Sequence, residues 1–193
     1  MLVLWISSRK SRDDVINEKL LATSSVDELV DILKQIVFSI RKSDIERDSG
    51  LYPFRIGATL SDMGIILVGH RNGEPVITVI DSDAKDIEID DKAAIGIGQP
   101  FAEVILKQHY DYNLDLDKAL FLVYRAIALT ESTGVQGVGS PIQLWTITDE
   151  GGKAKIQPVD DNIMKGLDSS NKALEQVLGD VFSGFNLKTD TAT

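Results

Sequence analysis

The chain has 193 residues, of which 43% are hydrophobic and 26% charged, and its formal net charge is -10. This composition is ordinary for a globular protein, and the length suits one domain, because two halves would each be small and marginally stable. The acidic surface should repel phosphate backbones and anionic lipid, so we expect neither nucleic acid nor a membrane as a partner. The absence of cysteine excludes disulfides, thiolate metal sites and a cysteine nucleophile.

Neither a metal nor a cofactor is indicated by the sequence. The two histidines, His70 and His109, are too few and too widely separated for a histidine-rich metal centre. The acidic stretch 81–86 lacks the central glycine and the closing glutamate of a dedicated calcium loop, so we interpret it as a solvated hairpin turn. The glycine-rich stretch 134–139 follows a predicted helix and precedes a predicted strand, which is the wrong order for a nucleotide-binding loop.

The opening residues 1–6 are apolar, but they are far fewer than the roughly 20 residues that a membrane-spanning helix needs. No basic region precedes them, so they do not resemble a signal sequence. We interpret residues 2–6 as a strand and expect a cytoplasmic protein.

A first helix is predicted after a serine N-cap. The hydroxyl oxygen of Ser24 or Ser25 can accept a hydrogen bond from a free backbone N–H of the first turn. Asp27 and Glu28 suit the positive end of the helix dipole. Apolar residues then recur every three or four positions, which places them on one face that we expect to be core. These residues are Val26, Leu29, Val30, Leu33, Ile36, Val37 and Ile40. We interpret the charged stretch 44–50 as a loop.

After residue 52 the periodicity changes to that of strands. Short runs rich in β-branched residues alternate with turns, which predicts an antiparallel meander. The best turn signal is Asn72 followed by Gly73, since a two-residue type I′ hairpin requires positive φ at both central positions. The predicted strands cover residues 54–60, 64–70, 75–80 and 86–97.

The last of these strands ends at residues 96–98, where two glycines enclose Ile97 and a helix starts at once. Glycines at such a junction allow a tight turn and close contact between helix and sheet, and Pro100 suits a first helical turn. We expect this helix to end near Tyr110 and a second helix to begin near Asp115.

The remaining chain predicts a hairpin and one more helix. Residues 142–148 and 154–159 form the two strands of the hairpin. Asp160 can cap an acidic helix start, and Ser169 or Ser170 is predicted to cap a last amphipathic helix that ends at Gly184.

Together these elements predict an α+β protein with separate layers of helices and antiparallel sheet, up to four layers in all. We expect residues 1–184 to form a single domain and residues 185–193 to form a polar tail. Composition and spacing alone indicate no catalytic site.

Several motifs, taken as a set, resemble the β-type proteasome subunits of the N-terminal nucleophile hydrolase superfamily. They follow the order and spacing of that family from about residue 25 to residue 147. The motifs are Tyr52-Pro53-Phe54, Val68-Gly69-His70-Arg71-Asn72-Gly73-Glu74-Pro75, Val79-Ile80-Asp81, Ala94-Ile95-Gly96-Ile97-Gly98-Gln99-Pro100-Phe101-Ala102, Leu106, Tyr110, Leu116-Asp117-Lys118-Ala119 and Arg125-Ala126-Ile127.

The resemblance implies a four-layer αββα sandwich, with two antiparallel sheets between helix layers, and subunits that assemble into rings. We therefore expect a homo-oligomer or a proteasome-like ring partner. In active β-type members a mature N-terminal threonine is the nucleophile and its own amine assists as base. Nearby aspartate, lysine and serine groups tune that site.

Three positions depart from the active pattern. If residues 3–9 match the second strand of the family, Ser7 replaces the catalytic aspartate and the nucleophile strand is missing; the first threonine is Thr23. Ile97 lies where the family usually has a serine, and isoleucine can neither donate nor accept a hydrogen bond. Glu131 corresponds to an active-site aspartate.

These departures predict a proteasome-like subunit without catalytic residues or a cofactor, which acts in self-assembly or partner binding. The alternative is a threonine endopeptidase whose N-terminal nucleophile segment is absent from the given sequence. A third interpretation, in which the scaffold serves another ligand or reaction, also stays open because folds are often reused.

Overall fold

The computed structural model describes residues 2–4, 25–51, 64–71, 74–135, 137–150 and 154–184. Those ranges contain four helices and six strands. The helices are α1 (Val26–Leu51), α2 (Gln99–His109), α3 (Leu116–Ser132) and α4 (Asp161–Gly184). The strands are β1 (Leu2–Leu4), β2 (Ile65–Arg71), β3 (Glu74–Ile80), β4 (Asp86–Ile89), β5 (Trp145–Asp149) and β6 (Ala154–Pro158).

The strands form two antiparallel three-stranded sheets. One has the order β1-β5-β6, and the other, β2-β3-β4, contains the last three strands of the predicted meander. The first strand of that prediction, residues 54–60, lies outside the described residues. Arg71 pairs with Glu74, which confirms a two-residue connection between β2 and β3. The connecting Asn72 and Gly73 lie outside the described residues. Leu2 pairs with Ile147 of β5, so the strand predicted at the start of the chain is confirmed for residues 2–4.

Helix α1 packs on the β2-β3-β4 sheet. It begins where Ser25 Oγ accepts the backbone N–H of Glu28 at 3.2 Å, as one of the two predicted caps. Val30 and Val37 are buried in one cluster with Ile80 of β3. Burial contributes about 1.5–3 kcal/mol for each such side chain. The apolar face predicted from the sequence is thus the core face of this helix except at Ile40, which is 39% exposed.

Helices α2 and α4 both pack against α3. The cluster between α2 and α3 contains Leu106, Leu122 and Ala126. The cluster between α3 and α4, which also includes a residue just before β5, contains Leu120, Tyr124, Leu144 and Leu167. Helix α3 also contacts β1 of the first sheet. Helices therefore cover both sheets, and the predicted α+β class is confirmed.

The loop predicted at residues 44–50 is wrong, because α1 continues through this stretch to Leu51. Long charged side chains are good helix formers, and Lys42 and Glu46 form an ion pair one helical turn apart at 3.8 Å. Charge density alone was therefore a poor loop signal.

The strand predicted at residues 86–97 is wrong beyond Ile89, where β4 ends. Aspartates 90 and 91 follow directly, and aspartate is unfavourable in strands. The backbone N–H of Lys92 donates to Asp91 Oδ1 at 2.7 Å, so it is already engaged locally. Apolar residues 93–95 then continue without ladder pairing.

The cap predicted at Ser169 or Ser170 is also wrong, since both residues lie inside α4. Ser169 Oγ donates to the carbonyl of Lys165 at 2.9 Å, which is how serine is accommodated in a helix interior. The helix starts at the other predicted cap, where Asp160 Oδ1 accepts the N–H of Asn162 at 2.7 Å.

Among the described residues, no helix combines the length and the apolar character needed to cross a membrane. The longest, α1, has 26 residues, but charged side chains recur along it.

Candidate functional site at the glycine corner

Residues 96–98, called the glycine corner, lie between β4 and α2. Gly96 has a φ of 93°, which residues with a Cβ rarely adopt. A Cβ on Gly98 would lie 2.6 Å from Thr130 Cγ2 and 3.0 Å from Val138 Cγ2. The backbone requires the first glycine and the packing requires the second. The tight turn predicted at this position is confirmed.

The corner leads directly into α2. The backbone N–H of Gln99 donates to the carbonyl of Gly96 at 2.9 Å, and that of Ala102 donates to the carbonyl of Gly98 at 3.1 Å. Pro100 lies in the first helical turn. Backbone N–H groups of that turn have no partner within the helix, so a proline costs no helical hydrogen bond there.

Ile97 is the central residue of the corner and is 68% exposed. Its Cγ2 lies 4.0 Å from the position that a Cβ on Gly137 would occupy, so the loop after α3 passes beside it. A serine here would have supplied a hydroxyl, whereas isoleucine supplies only methyl and methylene groups. The exposed tip of the corner is therefore apolar.

Glu131, in the last turn of α3, holds the following loop to the helix. Its Oε1 accepts the backbone N–H of Ser140 at 2.9 Å and the Ser140 hydroxyl at 3.0 Å. The same hydroxyl lies 3.2 Å from Oε2. Sequence reasoning missed Ser140, because it lies nine positions after Glu131, across a loop that gives no periodic signal. The carboxylate thus closes the loop between α3 and β5.

Two of the three predicted site positions belong to one region. Thr130 packs on Gly98 of the corner, and Glu131 is the next residue of α3, so the corner and the end of α3 are neighbours. Ser7, the third position, lies outside the described residues. That Ser7, Ile97 and Glu131 are degenerate equivalents of active-site residues remains a prediction.

Beside Glu131, α3 and α4 enclose an open groove of about 340 Å³. Its lining mixes apolar and polar side chains, including Met164, Lys165 and Ser140. The Tyr124 hydroxyl donates to Asp168 Oδ1 at 3.1 Å, and Lys172 Nζ donates to Asp168 Oδ2 at 2.7 Å. The first of these bonds links α3 to α4, and the second lies within α4.

Tyr124 and Asp168, which line the groove, keep their ordinary protonation states at neutral pH. Burial, together with the nearby Asp168 carboxylate, raises the pKa of Tyr124 to about 12. The hydrogen bond from Lys172 lowers the pKa of Asp168 below its usual value. At neutral pH the tyrosine is protonated and the aspartate is charged, so neither is poised as a general acid or base.

The acidic turn between β3 and β4 anchors α1. Asp81 Oδ1 accepts the backbone N–H of Asp83 at 2.8 Å, which closes the turn. Lys34 of α1 pairs with Asp86 at 2.5 Å, and Arg41 of α1 pairs with Asp83. The predicted hairpin turn is confirmed, and its half-exposed carboxylates also bind the helix above. In the part of the chain that is described, no group of three or more histidine or acidic residues could hold a metal ion.

Comparisons with known proteins match the part of the chain that contains the glycine corner. A sequence profile described as "Proteasome subunit" matches residues 58–144. "Proteasome subunit beta 1" of Pyrococcus abyssi is 35% identical over 91 residues, which are 47% of this chain and 46% of that protein. The protein of the same name from Pyrococcus horikoshii is 36% identical over 86 residues, which are 45% and 43% of the two chains. Over these residues the chain is similar to proteasome β subunits. Its match spans about half the length of these curated proteins.

Solved structures extend the comparison to the fold. "Anbu (ancestral beta-subunit)" from Yersinia bercovieri superposes with a TM-score of 0.65 at 17% identity, over 91% of this chain and 74% of that one. Anbu from Hyphomicrobium sp. strain MC1 gives 0.62 at 18%, over 89% and 72%. At such identities the likeness concerns the fold alone. It confirms the N-terminal nucleophile hydrolase type of αββα sandwich that the motifs implied.

Proposed function

We propose that this proteasome-subunit relative is a non-catalytic subunit whose role is assembly with other subunits. The observation that carries the proposal is Ile97, an exposed isoleucine between two glycines that keep their structural role. The resemblance to active members assigns a hydroxyl to this position, and isoleucine has no group that donates or accepts a hydrogen bond. The corner keeps both glycines of the motif and lacks the hydroxyl that the resemblance assigns between them.

The contacts of Glu131 support the same proposal. Its carboxylate already accepts the backbone N–H and the hydroxyl of Ser140, at distances of 2.9 to 3.2 Å. Both bonds are local and close the loop that follows α3. The acidic group that resembles an active-site aspartate thus has a structural task.

Exposed apolar side chains on three helices support an assembly role. Contiguous apolar surface on a folded protein commonly marks an interaction site. These side chains include Phe38 and Ile45 on α1, Phe101 and Val104 on α2, and Ile163, Val177, Val181 and Phe182 on α4. We propose that further copies of this chain, or a proteasome-like ring partner, cover these side chains. We also propose that the assembly is cytoplasmic.

Light scattering after size-exclusion chromatography tests the assembly role, and a fluorogenic peptide assay tests catalysis. We expect a mass of several 21.2 kDa chains and no peptide cleavage above that of buffer. A monomer at every concentration would overturn the assembly role. Cleavage that a threonine-protease inhibitor blocks would overturn the inactivity.

A threonine endopeptidase is the alternative function. The position of Glu131 favours it, because its carboxylate follows directly on the residue that packs on Gly98 and supplies an acidic group where the resemblance places an active-site aspartate. It requires an N-terminal nucleophile segment that the given sequence does not contain. The gene sequence upstream of the first codon decides the matter. An in-frame strand that begins with threonine, and inhibitor-sensitive cleavage once that segment is included, would support the alternative.

A further inference from the structure

The groove between α3 and α4 is large enough for a small ligand. Its volume is about 340 Å³, and it lies open to solvent. Ligand sites commonly measure about 300–1,000 Å³, so this groove suits a molecule of one or two amino acids in size. The kind of ligand depends on which polar atoms of the groove already have partners within the protein.

Two carboxylates line the groove, and both are already hydrogen-bonded. Glu131 Oε1 accepts the backbone N–H of Ser140 at 2.9 Å, and the Ser140 hydroxyl lies 3.0 and 3.2 Å from the two carboxylate oxygens. Asp168 accepts from the Tyr124 hydroxyl on one oxygen, at 3.1 Å, and from Lys172 on the other, at 2.7 Å. Each of these four oxygens thus lies within hydrogen-bond distance of a donor of the protein itself.

Asn171 carries two donors that have no such partner. Its Oδ1 accepts a hydrogen bond from Arg125 Nη1 at 3.0 Å. Because arginine has no acceptor, this bond fixes which end of the amide faces Arg125. The Nδ2 group makes no hydrogen bond within the described residues. Asn171 is half-buried and lines the groove, so a ligand acceptor can pair with its two N–H bonds.

Two lysines add positive charge to the groove. Lys165 is exposed, and its ammonium group forms no ion pair or hydrogen bond in the part of the chain that is described. Lys172 uses one of its three N–H bonds for Asp168 and keeps two. The polar groups left over are therefore donors, and a ligand that pairs with them carries acceptor oxygens and negative charge.

The charge balance limits that ligand to a monoanion. The two lysines and the two carboxylates that line the groove cancel in formal charge. The whole chain carries -10, so a doubly charged phosphate would meet repulsion without a surplus of cations to offset it. A carboxylate has one charge and two acceptor oxygens, which fits the unpaired donors of Asn171 and Lys165.

Apolar side chains complete the lining. Ala128, Ile142 and Met164 are partly buried and pack against the cluster that contains Tyr124. They offer contact to an apolar side chain next to the carboxylate, and each methylene that is buried there adds to the affinity.

We propose that the groove between α3 and α4 binds the free carboxylate of an apolar amino-acid residue. Asn171 and Lys165 bind the carboxylate, and Ile142 and Met164 contact the apolar side chain. A free acid and the C-terminal residue of a peptide share this chemistry. Every residue of the site belongs to one chain, so this inference goes beyond the proposed assembly and does not depend on it.

A ligand-observed NMR titration of the full chain with N-acetyl-leucine tests the proposal, and it works for a monomer and for an assembly. We expect saturable binding with a Kd of about 1 mM, which is ordinary for a ligand of this size. N-acetyl-leucinamide has the same side chain without the charge and should bind at least about tenfold more weakly. N-acetylglycine keeps the carboxylate without the side chain and should also lose about tenfold in affinity.

An N-acetylated tripeptide that ends in leucine distinguishes the two sources of the carboxylate. Tighter binding than that of N-acetyl-leucine would identify a peptide C terminus as the ligand, and equal or weaker binding would identify a free acid. Either outcome supports the site, because both molecules present the same carboxylate and side chain.

Asn171→Asp is the most informative variant, because it keeps an acceptor for Arg125 and replaces the Nδ2 donors by an oxygen. We expect binding of N-acetyl-leucine to be lost. Lys165→Met removes the charge of an exposed side chain and should weaken binding about tenfold, whereas Lys165→Arg should retain it. Lys107→Met is the matched control on α2, where the side chain is 69% exposed, and should leave the affinity unchanged.

The proposal fails if N-acetyl-leucine shows no saturable binding up to about 10 mM, or if the amide binds as tightly as the acid. Equal affinity of the natural sequence and of the Lys165→Met and Asn171→Asp variants would also overturn it, because the acid would then bind elsewhere. Failure of the assembly role is a separate result. A monomeric chain that binds the acid keeps this inference, and an assembled chain that does not bind it keeps only the proposed function.

Discussion

The glycine corner and the acidic turn between β3 and β4 are two turns of one molecule that are built differently. At the corner, Gly96 is required by a φ of 93° and Gly98 by the 2.6 Å approach to Thr130. In the acidic turn, charged side chains carry the structure, since Lys34 and Arg41 of α1 pair with its carboxylates.

The difference shows what each turn tolerates. A corner built from backbone and packing constrains its glycines tightly and leaves the residue between them free to change, and Ile97 is in that free position. A turn held by ion pairs tolerates changes of side-chain shape but is sensitive to pH. Retention of the corner glycines is therefore evidence for the fold and not for catalysis.

The largest expected effect comes from Gly98→Ala. The added Cβ would lie 2.6 Å from Thr130 Cγ2 and 3.0 Å from Val138 Cγ2, so α3 or the following loop must move. We expect the free energy of unfolding to fall by about 1–3 kcal/mol in urea denaturation. Gly166→Ala is the matched control, because nothing lies within 4 Å of its added Cβ and it is inside α4. It should raise stability by about 0.5–1 kcal/mol. Equal stability of the two variants would contradict the packing argument.

Glu131→Ala should have the next largest effect. It removes the acceptor for the Ser140 backbone N–H and hydroxyl, and the loop after α3 loses its closing contact. We expect a loss of about 1 kcal/mol by the same measurement, because water can partly replace the bonds at this exposed site. Glu131→Gln keeps an acceptor oxygen and should lose less. A stability unchanged by the alanine substitution would show that the carboxylate does not hold the loop.

Asp86→Asn tests the acidic turn through its pH dependence. The hydrogen bond from Lys34 lowers the pKa of Asp86 from its ordinary 3.8, so the unfolded chain binds this proton more tightly than the folded chain. The contribution to stability is complete above pH 3.8 and is lost as the pH falls through the lowered pKa. The natural sequence should thus be more stable than the variant at neutral pH, and the gap should close in acid.

Lys34→Gln is the matched variant for this pH series, because it removes the other partner of the same ion pair. It should destabilise the protein at neutral pH, and its difference from the natural sequence should also close as the pH falls through the lowered pKa of Asp86. A gap for Asp86→Asn that stays constant with pH would mean that the ion pair with Lys34 does not anchor α1.

The smallest expected effect is that of Ile97→Ser. The side chain is 68% exposed, so its replacement should change the free energy of unfolding by less than about 0.5 kcal/mol. Ile80→Ser makes the same chemical change where the side chain has 0% exposure, and should cost about 3 kcal/mol or more. A large loss at position 97 would indicate that the isoleucine is packed and that the position is not free.

Local signals in the sequence predicted most of the fold. Asp115 Oδ1 accepts the N–H of Lys118 at 2.9 Å, as an N-cap should, and the pairing of Arg71 with Glu74 matches the two-residue hairpin. The errors arose where local rules compete. The charged stretch 44–50 suits a loop or a helix, and the apolar residues near the end of 86–97 suit a strand until aspartates break the ladder.

The site was predicted only in part, because its contacts are not local. The pairing of Arg41 with Asp83 spans 42 residues, and no periodicity links those positions. Ile97 and Glu131 came from a resemblance of motifs, and the structure adds Ser140 and Thr130 around them. The assignment of Ser7, a single domain over residues 1–184 and a tail at 185–193 remain predictions.

Peptide hydrolysis is the most direct test of the central claim that the corner retains the fold without the chemistry. The purified chain and its Ile97→Ser variant would be incubated with fluorogenic peptides, with and without a threonine-protease inhibitor. The account predicts that neither protein exceeds the rate of buffer, because restoring one hydroxyl does not restore a nucleophile that a neighbouring base activates. Inhibitor-sensitive turnover by the natural sequence would contradict it.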